Sequence, residues 1–240
     1  ELSEKLVELS PFDDAKVFLG SSGSDANDTQ IKLMWYLNNA LGRKKKKKFL
    51  SRVQAYHGVT LATSSLTGLP TIHGNFDLPQ DMFLHTDSPH YFMNHNDGET
   101  EAEFLGRIVA NLEDLILREG PETIAAMFAE PLMGAGGVIL PPDGYFAAIQ
   151  PILSKYDIPL IDDEVICGFG RTGNVWGAET FGMQPQSLTV AKALSSSYLP
   201  ISAVILSDEI YTPIAEKSGE LGIFGHGYTY GGHPVSCAVA

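Results

Sequence analysis

Lys192 and Asp163 are the residues of this sequence whose types and spacing point most directly to chemistry. Asp163 lies at the end of an apolar run, and Lys192 follows 29 positions later, just after the apolar residues 188–190. A lysine amine can form a Schiff base with an aldehyde. A carboxylate can keep a proton on a pyridine nitrogen, so that the ring accepts electrons from a substrate carbanion. Pyridoxal phosphate (PLP) needs both groups, so the pair predicts a PLP site.

Each member of this pair also has an ordinary structural interpretation. The Asp163 carboxylate is expected in a low-dielectric crevice, where a buried charge needs a cationic partner such as a pyridinium; the alternative is a strand-end cap. Lysine is rarely buried unless it is paired or used covalently. We therefore expect Lys192 to be desolvated in the site, and the alternative is a surface lysine after an edge strand.

Ser22, Gly23 and Ser24 precede a predicted helix and are candidates for holding the cofactor phosphate. Free backbone N–H groups and the helix dipole make a helix N-terminus favourable for anions. Serine and glycine before a helix often only cap it, so the assignment depends on Lys192 belonging to the same site. The lysine of the nucleotide-binding phosphate loop is absent, which argues against a nucleotide-binding protein.

Tyr56, His57 and Val165 are candidates for contacts with the cofactor ring. The sequence Tyr56-His57-Gly58 follows a predicted strand, where an aromatic side chain can stack on a flat ligand. Val165 lies two residues after Asp163 and is expected on the same face of its strand, where it can cover the other face of the ring. The alternative is that these side chains are part of the core.

Glu130 and the segment 226–234 complete the set of candidate residues. Glu130 is a carboxylate before a glycine-rich turn; it either lies near the substrate or caps backbone N–H groups. Thr229 has a hydroxyl that could reach a phosphate. We interpret His226 and His233 as hydrogen-bonded structural groups, because no carboxylate or cysteine shares their spacing, and we predict no metal site.

These residues follow apolar runs that alternate with helical patterns. We predict strands at residues 16–19, 49–53, 124–129, 158–161, 188–190 and 201–206, and helices at about 26–40 and 99–118. The alternation predicts an α/β three-layer sandwich with a mainly parallel sheet, whose ligands bind beyond the carboxyl ends of the strands. Five candidate positions follow five different strands, so we expect them to converge on one crevice. Residues 67–98 are predicted to form an active-site or dimer-contact loop.

Composition excludes several functional classes. The chain has 240 residues, 44 % of them hydrophobic, which is enough for a full core. Its net charge of −13 argues against a nucleic-acid partner, and its basic run, Lys44 to Lys48, is predicted to be a solvated loop. Its apolar runs are too short to suggest a membrane span. Only two cysteines, Cys167 and Cys237, are present; we expect packing roles for both, a reducing compartment and a cytoplasmic location, with the mitochondrial matrix as the alternative.

Taken together, the motifs resemble the class III, or omega, aminotransferases of PLP fold type I. The matching segments occur in the family's order and span the whole chain; they are residues 22–28, 56–58, 130–138, 163–173, 191–196 and 226–234. Asp25 departs from the glutamate usual in the family. The sequences of residues 28–43, 84–91 and 234–240 are most similar to those of pyruvate-dependent 4-aminobutyrate (GABA) and amine transaminases.

The resemblance implies a role for each matching residue. Lys192 is then the Schiff-base lysine and Asp163 the partner of the pyridinium, with Tyr56 and Val165 on the two ring faces. Gly23 and Ser24 bind the phosphate. Ser22 and His57 are included in the candidate cofactor site. Glu130 lies near the substrate and pairs with a mobile arginine, and Thr229 reaches the phosphate of the neighbouring subunit, so that a homodimer shares its active sites.

The implied reaction is transfer of an amino group from an amine or omega-amino acid to a keto acid, with pyruvate as the expected acceptor. Alternatives are an aminomutase or a decarboxylating transaminase on the same scaffold, or a non-catalytic derivative. By comparison with the family, residues 1–240 are expected to be the PLP-binding large domain, without the family's N-terminal segment and C-terminal small domain.

Overall fold

A single seven-stranded sheet organises the computed structural model, which describes residues 1–240. The strands are β1 (Lys16–Gly20), β2 (Lys48–Arg52), β3 (Phe83–Thr86), β4 (Ile124–Ala129), β5 (Leu160–Asp163), β6 (Ser187–Val190) and β7 (Ser202–Leu206). Their order across the sheet is β1-β7-β6-β5-β4-β2-β3. The prediction of an α/β fold with a mainly parallel sheet is confirmed.

Strand direction brings six carboxyl ends to one edge of the sheet. Strands β2 to β6 pair in parallel with their neighbours. Strand β7 is antiparallel both to β6 and to β1, so β1 runs in the same direction as β2 to β6. Side chains that follow β1, β2, β4, β5 and β6 therefore meet at the same edge, which is where ligands of parallel sheets bind.

Helices cover both faces of the sheet. They are α1 (Leu2–Leu9), α2 (Gly23–Ala40), α3 (Leu61–Leu66), α4 (Pro70–His73), α5 (Tyr91–Asn94), α6 (Glu101–Glu119), α7 (Tyr145–Lys155), α8 (Gly177–Phe181), α9 (Asp208–Leu221) and α10 (Pro234–Val239). Helices α1, α6 and α7 contribute to the larger of the two main buried apolar clusters, and α2 and α9 contribute to the smaller one on the opposite face. No helix combines the length and apolar character that a membrane span requires.

Hydrogen bonds in the first turn of α2 fix the start of this helix against the edge of the sheet. The Ser22 hydroxyl accepts a hydrogen bond from the N–H of Asp25, and the Asp25 carboxylate accepts from the N–H groups of Ser21 and Ser22. The hydroxyl of Ser202, on β7, donates to the same carboxylate at 3.0 Å. Asp25 therefore completes a capping box and also ties the start of α2 to the sheet.

Two predictions about the chain are corrected. Residues 67–98 are not wholly irregular, because they contain the edge strand β3 and the short helices α4 and α5. The lysine run is not fully solvated either. Lys46 is only 6 % exposed, and its ammonium donates to the backbone carbonyls of Tyr156 and Asp157 just after α7. Burial lowers the pKa of Lys46.

Candidate active site

A polar cleft lies at the carboxyl edge of the sheet. It encloses about 540 Å³, including the part that is open to solvent. Its lining residues come from the segments after β1, β2, β4, β5 and β6, as the sequence predicted, and they are Gly23, Ser24, Asn27, Tyr56, His57, Gly58, Glu130, Asp163, Val165, Ile166 and Lys192. Of the candidate residues in the sequence, only Ser22 and Thr229 are outside this lining.

Asp163 is the best-supported carboxylate in the cleft. It is 3 % exposed, and its Oδ2 accepts hydrogen bonds from Nδ2 of Asn27 at 2.7 Å and from Nδ1 of His57 at 2.8 Å. Its Oδ1 accepts one hydrogen bond, from the N–H of Val165 at 3.2 Å. Three donors hold the carboxylate in place, and Oδ1 keeps a lone pair for a further donor from the cleft.

The motif suggested that the His57 ring contacts the cofactor ring, but in the structure this side chain contacts Asp163 and Phe128. Its imidazole is buried, and Nδ1 donates to Asp163. The ring packs edge-on against Phe128 at a centroid distance of 5.9 Å. His57 therefore orients Asp163, and Tyr56 remains as the aromatic candidate for a stacking contact.

The N-terminus of α2 fits an anionic group. The N–H groups of the first helical turn have no partner within the helix and carry the positive end of its dipole. A Cβ atom on Gly23 would lie 3.0 Å from the nearest methyl carbon of Val165, so glycine permits this close approach. Gly58, at φ +135°, allows a similarly close approach to Ser24. Ser22 itself is the helix cap, and its hydroxyl accepts from Asp25.

Glu130 lines the cleft and also caps backbone N–H groups, whereas its position relative to a substrate stays a prediction. It lines the cleft, and its carboxylate accepts hydrogen bonds from the N–H groups of Tyr56 at 3.1 Å and Gly134 at 3.0 Å. It joins the segments after β2 and β4, and it makes no ion pair with an arginine side chain in this chain. Burial raises the pKa of Glu130.

Lys192 differs from expectation in its exposure. It begins a turn of 3₁₀ helix directly after β6 and lines the cleft, yet its side chain is exposed and not desolvated. Its backbone φ is +41°, in the left-handed region that residues with a Cβ rarely adopt. Such a conformation is often maintained at functional positions because it aims a side chain.

Thr229 lies outside the cleft of its own chain. It is exposed in the loop between α9 and α10, next to Tyr228, whose hydroxyl donates to the backbone carbonyl of Asp25 at 3.1 Å. His226 is also hydrogen-bonded there, with Nε2 at 2.9 Å from the hydroxyl of Thr29 and Nδ1 at 2.8 Å from the Lys32 ammonium. The structural interpretation of His226 is confirmed, and the loop is anchored to α2.

Sequence reasoning missed Asn27 and Ile166 as lining residues. Asn27 is 1 % exposed and donates to both Asp163 and the backbone carbonyl of His57. A polar residue on the buried face of an amphipathic helix, one turn after the cap, was the available signal. Nothing in the sequence distinguishes Ile166 from a core residue.

The fold and the site define an α/β domain with a cleft that offers an amine, a buried carboxylate and a helix N-terminus. The family profile "Aminotransferase class-III" matches residues 1–240, so the chain belongs to the class-III aminotransferase family, which is PLP-dependent. The prediction of this family is confirmed.

Relatives and solved structures agree with this assignment. The chain is 61 % identical over 226 residues to gamma aminobutyrate transaminase 1, mitochondrial, of Solanum lycopersicum, covering 94 % of this chain and 44 % of that protein. It is 57 % identical over 226 residues to vanillin aminotransferase of Capsicum chinense, covering 94 % and 49 %. The omega transaminase of Pseudomonas jessenii in complex with PMP has 55 % identity and a TM-score of 0.97, covering 99 % of this chain and 52 % of that one. The chain thus spans about half the length of the relatives it matches.

Proposed function

We propose that this chain is the PLP-binding domain of a transaminase that moves an amino group from an amine or omega-amino acid to a keto acid. The observation that carries the proposal is that Asp163, the last residue of β5, and Lys192, which follows the neighbouring strand β6, line one cleft. Membership of the class-III aminotransferases adds the reaction class.

The donor set of the cleft fits PLP. Asp163 has an unfilled acceptor position for a protonated ring nitrogen, and the first turn of α2, at Gly23 and Ser24, suits the phosphate. Tyr56 and Val165 are the candidates for the two faces of the ring. Ser22 contributes by capping α2, and His57 by orienting Asp163.

Bound PLP supplies an electrophilic carbon for amines and a ring that withdraws electrons from the substrate carbon. Lys192 would be the residue that holds the cofactor covalently, and its amine would be the base that moves a proton at the substrate carbon. The carboxylate of Asp163, held in place by Asn27 and His57, would keep the ring nitrogen protonated. Because those donors are already fixed by the fold, the site needs little reorganisation during the reaction.

The proposed donor class includes 4-aminobutyrate, and the proposed acceptor is pyruvate. The relatives named as gamma aminobutyrate transaminases support the donor. The similarity of residues 28–43 and 84–91 to pyruvate-dependent transaminases supports the acceptor. The similar identity to a protein named vanillin aminotransferase keeps other amine or carbonyl partners open. An aminomutase, a decarboxylating transaminase and an inactive derivative are the alternatives.

A homodimer with shared active sites is part of the proposal. Thr229 is exposed and does not line its own cleft, and it lies on a loop that Tyr228 ties to the start of α2. That position is suitable for reaching the phosphate of a neighbouring subunit.

For location we favour an organelle, the mitochondrial matrix, over the cytoplasm, because two relatives are named as mitochondrial and chloroplastic proteins.

The proposal is tested by adding PLP to the purified complete protein and following its visible absorbance. We expect a coloured protein that forms a ketonic or aldehydic product and alanine from an amine and pyruvate. Product analysis by mass spectrometry separates transamination from isomerisation and decarboxylation. A protein that stays colourless with added PLP would favour the non-catalytic alternative.

A further inference from the structure

Asp162 is a buried carboxyl group that the proposed reaction does not use. It lies in β5 next to Asp163, and because side chains alternate along a strand, it points to the opposite face of the sheet. Asp162 is 0 % exposed, and neither of its side-chain oxygens receives a hydrogen bond from an N–H or O–H group. An ionised carboxylate in such surroundings is strongly disfavoured and takes up a proton instead.

Glu164 is the polar group that faces Asp162. The Glu164 carboxylate is buried; Oε1 accepts a hydrogen bond from the N–H of Ala178 in α8 at 2.8 Å, whereas Oε2 has no donor. Side chains two residues apart in an extended segment point to the same face, so the two buried carboxyl groups face each other, and three of their four oxygens have no other partner. Since ionised carboxylates only accept hydrogen bonds, this contact is a hydrogen bond only when one of the two holds a proton.

The proton belongs on Asp162. Burial, followed by the charge of Glu164, raises the pKa of Asp162 well above its ordinary value. Burial also raises the pKa of Glu164, but hydrogen bonds from the first turn of α8 act in the opposite direction. Protonated Asp162 can therefore donate to the ionised Glu164.

Arg52 is the nearest cation that could oppose this arrangement. It is fully buried at the end of β2, on the same face of the sheet, and its Nη2 donates to the backbone carbonyl of Glu130. Strand β4 lies between β2 and β5, so Arg52 reaches Asp162 only across Ala129. The guanidinium makes no ion pair with Asp162, and its Nε and Nη1 have no acceptor. Its field lowers the pKa of Asp162, but this effect is smaller than that of burial.

We propose that Asp162 and Glu164 share one proton and act as positioning residues for Asp163, a role that rests on the function proposed above. Asp163 lies between them in the chain. Glu164 joins this segment to α8 through Ala178 and to β6 through its own N–H, which donates to the carbonyl of Thr189 at 2.9 Å. The shared proton removes one negative charge behind the sheet, so the carboxylate on the cleft side is held by its own three donors.

Replacing Asp162 by asparagine tests the shared proton. The amide of Asp162→Asn donates to Glu164 at every pH, whereas Asp162 must first take up a proton. A carboxyl group whose pKa is raised on folding contributes stability that is complete below the unfolded pKa, near 3.8, and is lost as pH rises towards the folded value. We therefore expect Asp162→Asn to match the wild type near pH 4 and to exceed it increasingly up to pH 8.

The readout is thermal unfolding of the complete apo protein between pH 4 and pH 8. At pH 8 we expect the melting temperature of Asp162→Asn to be higher by about 3 °C or more, which corresponds to roughly a tenfold change in the unfolding equilibrium constant. The control is Asp143→Asn, because Asp143 is an exposed aspartate without a hydrogen-bond partner; it makes the same substitution away from Glu164. Lower stability of Asp162→Asn at pH 8, with the deficit shrinking towards pH 4, would show an ionised Asp162 paired with Arg52. That result, or no pH-dependent difference, would overturn the proposal.

The positioning role is tested by PLP affinity of the same variants. We expect Asp162→Asn to bind PLP within about threefold of the wild type, and Asp162→Ala to bind at least about tenfold more weakly, because alanine leaves Glu164 unpartnered. Equal affinity of the alanine and asparagine variants would refute the positioning role. Because the unfolding measurement needs no cofactor, a protein that never binds PLP would contradict the proposed function without affecting the proton test.

Discussion

Asp163 and Asp162 are adjacent and have the same side chain, but the two faces of the sheet give them opposite surroundings. On the cleft side, Asp163 accepts hydrogen bonds from Asn27, His57 and the N–H of Val165. On the other side, Asp162 has no N–H or O–H donor and faces a second carboxyl group, that of Glu164. Asp163 therefore presents a carboxylate with three hydrogen-bond donors to the cleft, whereas burial raises the pKa of Asp162 on the opposite face of the sheet.

The comparison predicts unequal effects for the same substitution at the two positions. Asp163→Asn should retain PLP but lose transamination by roughly 10²-fold or more, since an amide does not keep the ring nitrogen protonated and one preorganised electrostatic group has about that effect. Asp162→Asn, the matched control, should keep activity within a few-fold. Steady-state rates of both variants at saturating PLP measure this difference, and near-normal turnover of Asp163→Asn would contradict it.

A smaller effect is expected from removing one of the donors to Asp163. His57→Leu should reduce turnover about tenfold, because a lost hydrogen bond to a charged group costs about 1.5–3 kcal/mol, part of which water can recover. His57→Asn is the control, since its amide nitrogen can occupy the place of Nδ1 and donate to Asp163. Turnover of the two variants is compared at equal PLP saturation. If leucine and asparagine have the same effect, the hydrogen bond does not orient Asp163.

The start of α2 lies close to the segment after β5, and a larger residue at Gly23 should therefore lower the affinity for PLP. Gly23→Ala places a Cβ atom about 3.0 Å from a methyl group of Val165, so the Val165 side chain or the start of α2 must move by a few tenths of an ångström. Overpacking of this kind costs about 1–3 kcal/mol, and we expect PLP affinity to fall about fivefold. Gly106→Ala in α6 is the control, because a Cβ atom there meets nothing within 4 Å. Fluorescence titration with PLP measures both, and unchanged affinity of Gly23→Ala would argue against this phosphate site.

The smallest effect is expected at Thr229, which lies outside the cleft of its own chain. Thr229→Ala should weaken PLP binding by a few-fold, the effect of one hydrogen bond. Mixing Thr229→Ala with Lys192→Ala protein should produce hybrid dimers with one intact site and one site that has both defects. Recovery of a site with wild-type PLP affinity is the expected result, and its absence would mean that each subunit forms its site alone.

The sequence predicts the fold and the convergence of the site well, because both follow from patterns that are local in the chain. Apolar runs give six of the seven strands, and turn residues mark their carboxyl ends. The edge strand Phe83–Thr86 was missed because it is short and contains a polar histidine. These four residues form a strand because they pair with β2, and their own sequence does not indicate one.

What the sequence does not predict depends on partners that are distant in the chain. Two of the three donors to Asp163 come from residues 27 and 57, and the carbonyls that accept from Lys46 come from residues 156 and 157. Local composition does not show which donors reach Asp162 or Asp163, and it makes Lys46 one of five similar lysines. Only the packed structure shows these partners.

The central claim is that the cleft at the carboxyl edge of the sheet holds PLP through Lys192. Reduction of the PLP-loaded complete protein with borohydride, followed by peptide mapping, tests this claim most directly. We predict one pyridoxyl label, on the peptide that contains Lys192, and no label in Lys192→Ala. A label on any other lysine, or a label that persists in Lys192→Ala, would contradict it.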